Sequence, residues 1–177
     1  RPYEGGLEFV RHYNSGARGA TSSAGANWHN NWALGIEKLI STEVYATRGD
    51  GARRTFVANG SGGWVGEADT PDVLVQTAGG WTLTTRHNEV ETYDSEGRIL
   101  SSVDTMGRTT TFAYSDGTAA TATIEGTSIP LFEGTLIRVT DFKGRSMSFG
   151  YDASGYLVRM TDPTGSNYLY QFDIPKG

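Results

Sequence analysis

Three histidines, His12, His29 and His87, are the only imidazoles in the chain, and cysteine is absent. A metal site or a general base would have to be assembled from these three and nearby carboxylates. Their spacing matches no zinc-binding pair, so no metal or cofactor is assigned. His29 lies between Trp28 and Trp32. There it reads as a buried hydrogen-bonding group in preference to the edge of a sugar platform. Glu67, Asp69 and Asp72 cluster near Pro71. A glycosidase needs two carboxyl groups held a fixed distance apart across a cleft, and these three read instead as a solvated loop. Gly49-Asp50-Gly51 lacks the further oxygen ligands of a calcium loop. Gly60-Ser61-Gly62-Gly63 lacks the Lys-Ser/Thr ending of a phosphate loop. Asn59-Gly60-Ser61 fits a glycosylation acceptor but is read as a turn. No catalytic residue is assigned. The one constellation with a binding reading is aromatic: Trp28, Trp32, Trp64 and Trp81, with nine tyrosines, are candidates for stacking on sugar rings. Their alternation with polar residues favours a half-buried core role.

Composition points to the elements that carry these residues. Glycine accounts for 24 of 177 residues, roughly twice ordinary usage. With many Thr, Tyr and Trp, this implies strands joined by tight turns. A formal net charge of -5 argues against nucleic acid, which needs a basic surface. Without cysteine no disulfide forms. No apolar run reaches the length of a membrane span, and no leader peptide is visible. The opening Arg1-Pro2, without Met, reads as that of an excised or processed chain.

The second half repeats. Tyr93-Asp94-Ser95-Glu96-Gly97 recurs as Tyr151-Asp152-Ala153-Ser154-Gly155, and Asp-x-x-Gly occurs at Asp104–Gly107, Asp141–Gly144 and Asp162–Gly165. Asp141 and Asp162 are 21 residues apart, whereas Asp104 and Asp141 are 37 apart. The excess of 16 predicts an insertion between 117 and 134. Asp at the start of a type I turn accepts backbone N–H groups ahead of it, and Gly at the fourth position takes the left-handed conformation. Pro163 adds a preformed φ. Each repeat is therefore two strands and two turns. Thr110, Phe112 and Tyr114, then Met147, Phe149 and Tyr151, then Tyr168, Tyr170 and Phe172, share one face with Ile137, Val139, Val158 and Met160. Arg138, Thr140, Arg159 and Thr161 lie on the other. Aligned repeats predict ladders of Phe112, Phe149 and Tyr170 or Phe172 across the strands.

In the first half, Leu7 to Tyr13 alternates as a strand ending at Asn14-Ser15-Gly16, and residues 16–27 read as a loop. Ala33 to Ala46 reads as one or two strands, a short helix over 35–47 being disfavoured by β-branched residues and missing caps. Arg48–Gly51, Asn59-Gly60 and His87-Asn88 read as turns. The whole predicts an all-β, antiparallel architecture: an N-terminal β module over 1–90 and hairpin repeats over 91–177.

These motifs resemble the rearrangement-hotspot (Rhs) or YD-repeat family. Tyr93-Asp94, Gly97-Arg98, Asp104 with Gly107-Arg108, Tyr151-Asp152, and Asp162 with Gly165 are similar to its repeats. Gly6-Leu7-Glu8-Phe9, Arg11, Tyr13-Asn14-Ser15, the Trp28–Trp32 cluster and Asp50-Gly51 with Phe56 are similar to the module that precedes them. The resemblance implies a large bacterial protein, secreted or on the cell surface, whose repeats coil into a hollow shell around a C-terminal toxin. Tyr114-Ser115-Asp116-Gly117 departs from the Tyr-Asp order. Asp162-Pro163-Thr164-Gly165 is similar to the family's self-cleaving aspartyl site, but Ser166 stands where that site has Leu. Asp162 is therefore read as a turn residue. The expected role is a non-enzymatic wall segment whose partners are the rest of the shell and its cargo. The alternative is a carbohydrate-binding surface module. A segment with few repeats leaves a free sheet edge, which predicts self-association or pairing with a partner strand.

Overall fold

The computed structural model describes residues 7–15, 21–117, 121–124, 127–152 and 154–171. Gly6, Gly16, Ala153 and Phe172, which figure in the sequence motifs, lie outside them. The described residues are all-β and contain no helix. The strands are β1 Arg11–Tyr13, β2 Thr21–Ser22, β3 Gly25–Ala26, β4 Trp28–Asn30, β5 Gly35–Ile40, β6 Glu43–Thr47, β7 Arg53–Ala58, β8 Trp64–Gly66, β9 Val73–Thr77, β10 Gly80–Thr84, β11 Val90–Tyr93, β12 Ile99–Val103, β13 Thr109–Tyr114, β14 Thr121–Ile124, β15 Thr127–Pro130, β16 Leu136–Thr140, β17 Ser146–Tyr151, β18 Leu157–Thr161 and β19 Asn167–Leu169. All pairings between them are antiparallel.

Nine strands form one sheet in the order β19-β18-β17-β16-β13-β12-β11-β10-β9, and β5-β6-β7-β8 form a second. The larger sheet thus begins at Val73, and the β10–β11 hairpin spans the sequence position taken as the module boundary at 90/91. Among the described residues β9 and β19 each have a single hydrogen-bonded neighbour, so both ends of this sheet are edges there.

Its turns share one geometry. At Asp94, Asp104, Asp141, Asp152 and Asp162 the Asp N–H donates to the carbonyl four residues on at 2.9–3.1 Å, and the Gly N–H donates back to the Asp carbonyl at 2.9–3.1 Å. The Asp Oδ1 accepts the N–H of the residue four ahead, and at all but Asp94 also that two ahead, at 2.8–3.0 Å. The five glycines have φ between 75° and 87°. Two further turns belong to the series without the Asp-x-x-Gly signature. Thr85 N–H donates to Glu89 O, Asn88 N–H to Thr85 O, and Thr85 Oγ1 accepts from His87 and Glu89; Asn88 takes the left-handed place at φ 60°. Ser115 N–H donates to Thr135 O, and Gly134 N–H donates to Ser115 O, with Gly134 at φ 80°. Ser115 and Gly134 are 19 residues apart where the other turns have 3, so the insertion is 16 residues and opens inside one turn. It carries the β14–β15 hairpin.

Each hairpin that turns after Tyr93, Tyr114 or Tyr151 shifts register just before the tyrosine, which then faces Ile99, Leu136 or Leu157. Tyr93, Ile99, Tyr151 and Leu157 are buried on the inner face with Leu74, Leu83, Phe112, Val139, Met147, Phe149 and Met160. Arg138 and Ser148 point outward and are exposed. The expected phenylalanine ladder does not form. Phe112 faces Val139 and Phe149 faces Met160, because one repeat spans two strands. Equivalent residues therefore stand two strand spacings, about 10 Å, apart. Their aromatic partners come from the N-terminal module instead: Trp32 packs on Phe112 at 5.8 Å, and Phe9 on Phe149 at 5.8 Å and Tyr170 at 6.1 Å. Tyr168, on the terminal strand, is 47% exposed.

The module covers that face. Ile36, Val44, Ala46 and Phe56 join the sheet's inner residues in a single core, with Leu7 and Leu131. Of the strand expected from Leu7 to Tyr13 only Arg11–Tyr13 is laddered. Residues before it are held by Asn31, whose Oδ1 accepts the Val10 N–H at 2.8 Å and whose Nδ2 donates to Glu8 O at 2.9 Å. The loop expected over 16–27 contains the β2–β3 hairpin, and Ser23 O accepts the Leu157 N–H at 2.6 Å.

β5 docks on one repeat turn, where Ile36 N–H donates to Gly97 O at 2.9 Å and a Cβ on Gly97 would overlap the Ile36 carbonyl. Gly107, at a nearly equal φ, has open space around it. Gly107→Ala is expected to lose about 1–2 kcal/mol, the cost of a left-handed L-residue. Gly97→Ala is expected to lose substantially more, because it also displaces β5. Urea unfolding of the two variants measures the difference, and equal losses would contradict the docking.

Candidate functional site

The aromatic candidates occupy different parts of the seam between module and sheet. Trp81 is 4% exposed, with Trp64 edge-on at 5.5 Å and the Lys38 ammonium 5.7 Å from the Trp64 ring. Trp32 lies half-buried on Phe112, and its indole nitrogen is buried without a hydrogen-bond partner. Trp28 is half-buried between Tyr13, at 5.3 Å, and the Arg11 guanidinium, at 4.6 Å. The four indoles do not form one platform. Trp81 offers no open face to a sugar, whereas Trp28 is half-buried beside Tyr13, which is 60% exposed.

Two buried ion pairs join the sheets. Arg48, in the turn after β6, makes a bidentate contact with Glu91 of β11 at 2.6 and 2.7 Å, and Tyr93 Oη donates to Glu91 Oε2 at 2.7 Å. The Glu91 side chain is only 3% exposed. Burial alone would favour neutral Arg48, but the Glu91 carboxylate outweighs it and holds the guanidinium firmly charged. Burial, reinforced by Glu91, pushes the Tyr93 phenol well above its usual range, so it stays a donor. Arg54 of β7 pairs with Asp72 at 3.2 Å, and Asp72 Oδ1 accepts the Arg86 N–H at 2.7 Å. Asp72 is buried. The solvated loop expected for Glu67, Asp69 and Asp72 holds for the first two, which are exposed, and not for Asp72. No sequence signal marks Arg48 with Glu91, 43 positions apart.

The repeat turns carry the other charges. Arg98, Arg108 and Arg145 reach back to Asp94, Asp104 and Asp141, Nε to Oδ2, at 2.7, 2.6 and 2.8 Å. The backbone N–H of Arg108 is the main force holding Asp104 below the usual carboxylate range. At Asp141 burial opposes ionisation, and the Arg145 bonds override it. The Thr164 hydroxyl does most to depress Asp162, helped by the N–H groups of Ser166 and Thr164. All three carboxylates are acceptors at neutral pH. Their stabilisation is complete above the ordinary Asp pKa of about 3.9 and is lost as pH falls through the lower folded values. At Asp162 the carboxylate accepts from the Thr164 and Ser166 N–H groups and from the Thr164 hydroxyl. Tyr168 Oη also donates to its Oδ2 at 3.2 Å.

A cleft of about 590 Å³ lies between the N-terminal segment and the turns at Asp104 and Asp141, with His12, Asp50 and Glu89 on its walls. Among the described residues no three His, Asp or Glu side chains are arranged to hold a metal, and no helix is long and apolar enough to cross a membrane. The Asp–Arg pairs at Asp94, Asp104 and Asp141 brace backbone reversals, and Arg48–Glu91 and Arg54–Asp72 join the two sheets.

Residues 2–56, which run from the N-terminal segment into β7, match a family described as a domain of unknown function, DUF6531. No curated protein matches the chain. The match ends within the four-stranded sheet, before the first strand of the repeat sheet.

Removing one partner of the Arg48–Glu91 pair leaves a buried charge uncompensated. Glu91→Gln is expected to cost about 3–5 kcal/mol, and Arg48→Met with Glu91→Leu much less. Urea titration of the single and double variants at pH 7 measures both. A double variant as unstable as Glu91→Gln would show that the pair does more than satisfy itself.

Proposed function

We propose that this chain is a non-enzymatic wall segment of a bacterial Rhs/YD-repeat protein, secreted or surface-exposed, in which its module and first repeats begin a shell around a C-terminal toxin. The supporting observation is the turn series. A reversal every nine to eleven residues outside the one insertion, anchored by an Asp carboxylate in five of the seven turns of the series, adds strands to a single sheet with an apolar inner face and a polar outer face. Such a sheet grows by adding repeats without changing its design. The open edge at β19 is where the next repeat strand would pair, and in an isolated segment the same edge favours self-association. The DUF6531 match over 2–56 fits a distinct module placed ahead of the repeats. The engagement of the turn carboxylates with backbone N–H groups favours a structural role over catalysis.

The carbohydrate-binding alternative rests on Trp28 with Tyr13, which is 60% exposed. Limited proteolysis of the intact parent protein separates the readings. For a wall, a domain downstream of the repeats is protected, and Asp141→Ala, which removes a turn anchor, speeds its digestion without a direct contact. A downstream domain digested equally fast in both proteins, together with specific glycan-array binding abolished by Trp28→Ala, would overturn the wall and favour the surface module.

A further inference from the structure

His29 is a buried titratable group that neither the turns nor the seam requires. It is the central residue of β4, 8% exposed, and lies directly across the ladder from His12 of β1. The turn from Arg48 to Ala52 closes over its ring. Gly51 sits there at φ 79°, and a Cβ on it would come within 2.7 Å of His29 Nε2. That nitrogen is buried and has no hydrogen-bond partner. The charged or titratable groups facing the ring are His12 from β1, Asp50 from the covering turn and Arg53 from β7. Burial disfavours the imidazolium most strongly. Asp50 opposes this, and Arg53 and His12 add to it, so the net direction is downward from the ordinary histidine value.

The strand pair around His29 holds the covering of the repeat sheet. Asn31 fixes the chain at Glu8 and Val10. Phe9 and Trp32 rest on Phe149, Tyr170 and Phe112, and the Arg11 guanidinium lies 5.4 Å from the Tyr170 ring. We propose that His29 is an acid-sensitive latch: neutral, it keeps the N-terminal cap on the inner face, and protonated, it releases the cap and bares Phe112, Phe149 and Tyr170. A proton on Nε2 has no acceptor within the closed site, which the Gly51 backbone covers. The imidazolium reaches a partner only if the covering turn or the β1–β4 pair moves. The latch is independent of whether the sheet encloses a cargo.

The sign follows from linkage. In the open cap His29 has an ordinary pKa of about 6.5, and in the closed cap a lower one. The open state therefore binds the proton first. The cap is held fully above about pH 6.5, and its closing constant falls by up to about tenfold per pH unit between the two values. The Asp and Glu groups of ordinary pKa near 4 remain ionised in this window.

Hydrogen exchange on the whole 177-residue chain between pH 7.5 and 5.0, corrected for intrinsic rates, reads the latch directly. Amides of residues 11–13 and 28–31 are expected to open up to about tenfold more per pH unit below 6.5, relative to amides of β17 and β18. His12→Gln is expected to keep this response and His29→Gln to abolish it. The His29 imidazole, followed by NMR in the unaltered chain, is expected to titrate below 6.5. A His29 titration at or above that value, cap exchange that does not change with pH, or an unaltered acid response in His29→Gln would each overturn the proposal. The two measurements on the unaltered chain decide the matter if the variant does not fold.

Discussion

One local interaction organises the molecule: an aspartate carboxylate that accepts backbone N–H groups two and four residues ahead, closed by a left-handed residue at the third. Those N–H groups would otherwise be orphaned at each strand reversal. The carboxylate fixes where the chain turns, and therefore which residues face inward on the next strand, because a slip of one residue would invert the faces. The recurring register shift before Tyr93, Tyr114 and Tyr151 belongs to the same unit, since it sets each tyrosine opposite Ile99, Leu136 or Leu157 in the core. Once the turn is set, strand length and register are set with it, and the sheet can extend without new information.

A sheet made this way has an apolar face that must be covered. The N-terminal module covers it in two parts. The four-stranded sheet packs Ile36, Val44, Ala46 and Phe56 over the first strands, and the segment from Leu7 to Trp32 lays Phe9 and Trp32 on the later ones. The contacts differ in kind. Apolar burial supplies most of the attraction. Arg48 with Glu91, Arg54 with Asp72, and the Ile36–Gly97 hydrogen bond determine the position, since each is directional and costly to leave unmatched.

Much of this was legible in the chain itself. Turn chemistry and two-residue alternation are local, so the aspartates, the glycines, the faces away from the register shifts and even the 16-residue excess could be read from spacing; at the shifts alternation pointed to Ile137 and Val158, whereas Leu136 and Leu157 face the tyrosines. The Thr85–Asn88 turn was less visible because a hydroxyl replaces the carboxylate and an asparagine replaces the glycine, although both substitutes do the same work. The split turn between Ser115 and Gly134 was located only as a region, because its two halves are joined by hydrogen bonds and not by sequence. What could not be read is what depends on distant contacts: the burial of Asp72, the Arg48–Glu91 pair, and the choice of Trp32 and Phe9 as partners for Phe112 and Phe149. Those residues have no periodic relation to one another, and only the packing of one sheet on the other brings them together.

The claim that the turn unit alone defines the sheet is tested most directly at the insertion. Deleting residues 117–132 leaves Asp116 and Glu133 between Ser115 and Gly134, a turn of the length found elsewhere in the series. The deletion removes Leu131 from the core, a loss of about 2–3 kcal/mol. If the turn unit defines the sheet, NMR of the shortened chain finds Phe112 still opposite Val139 and the strand order unchanged. Loss of the β13–β16 pairing in a chain that otherwise stays folded would contradict it.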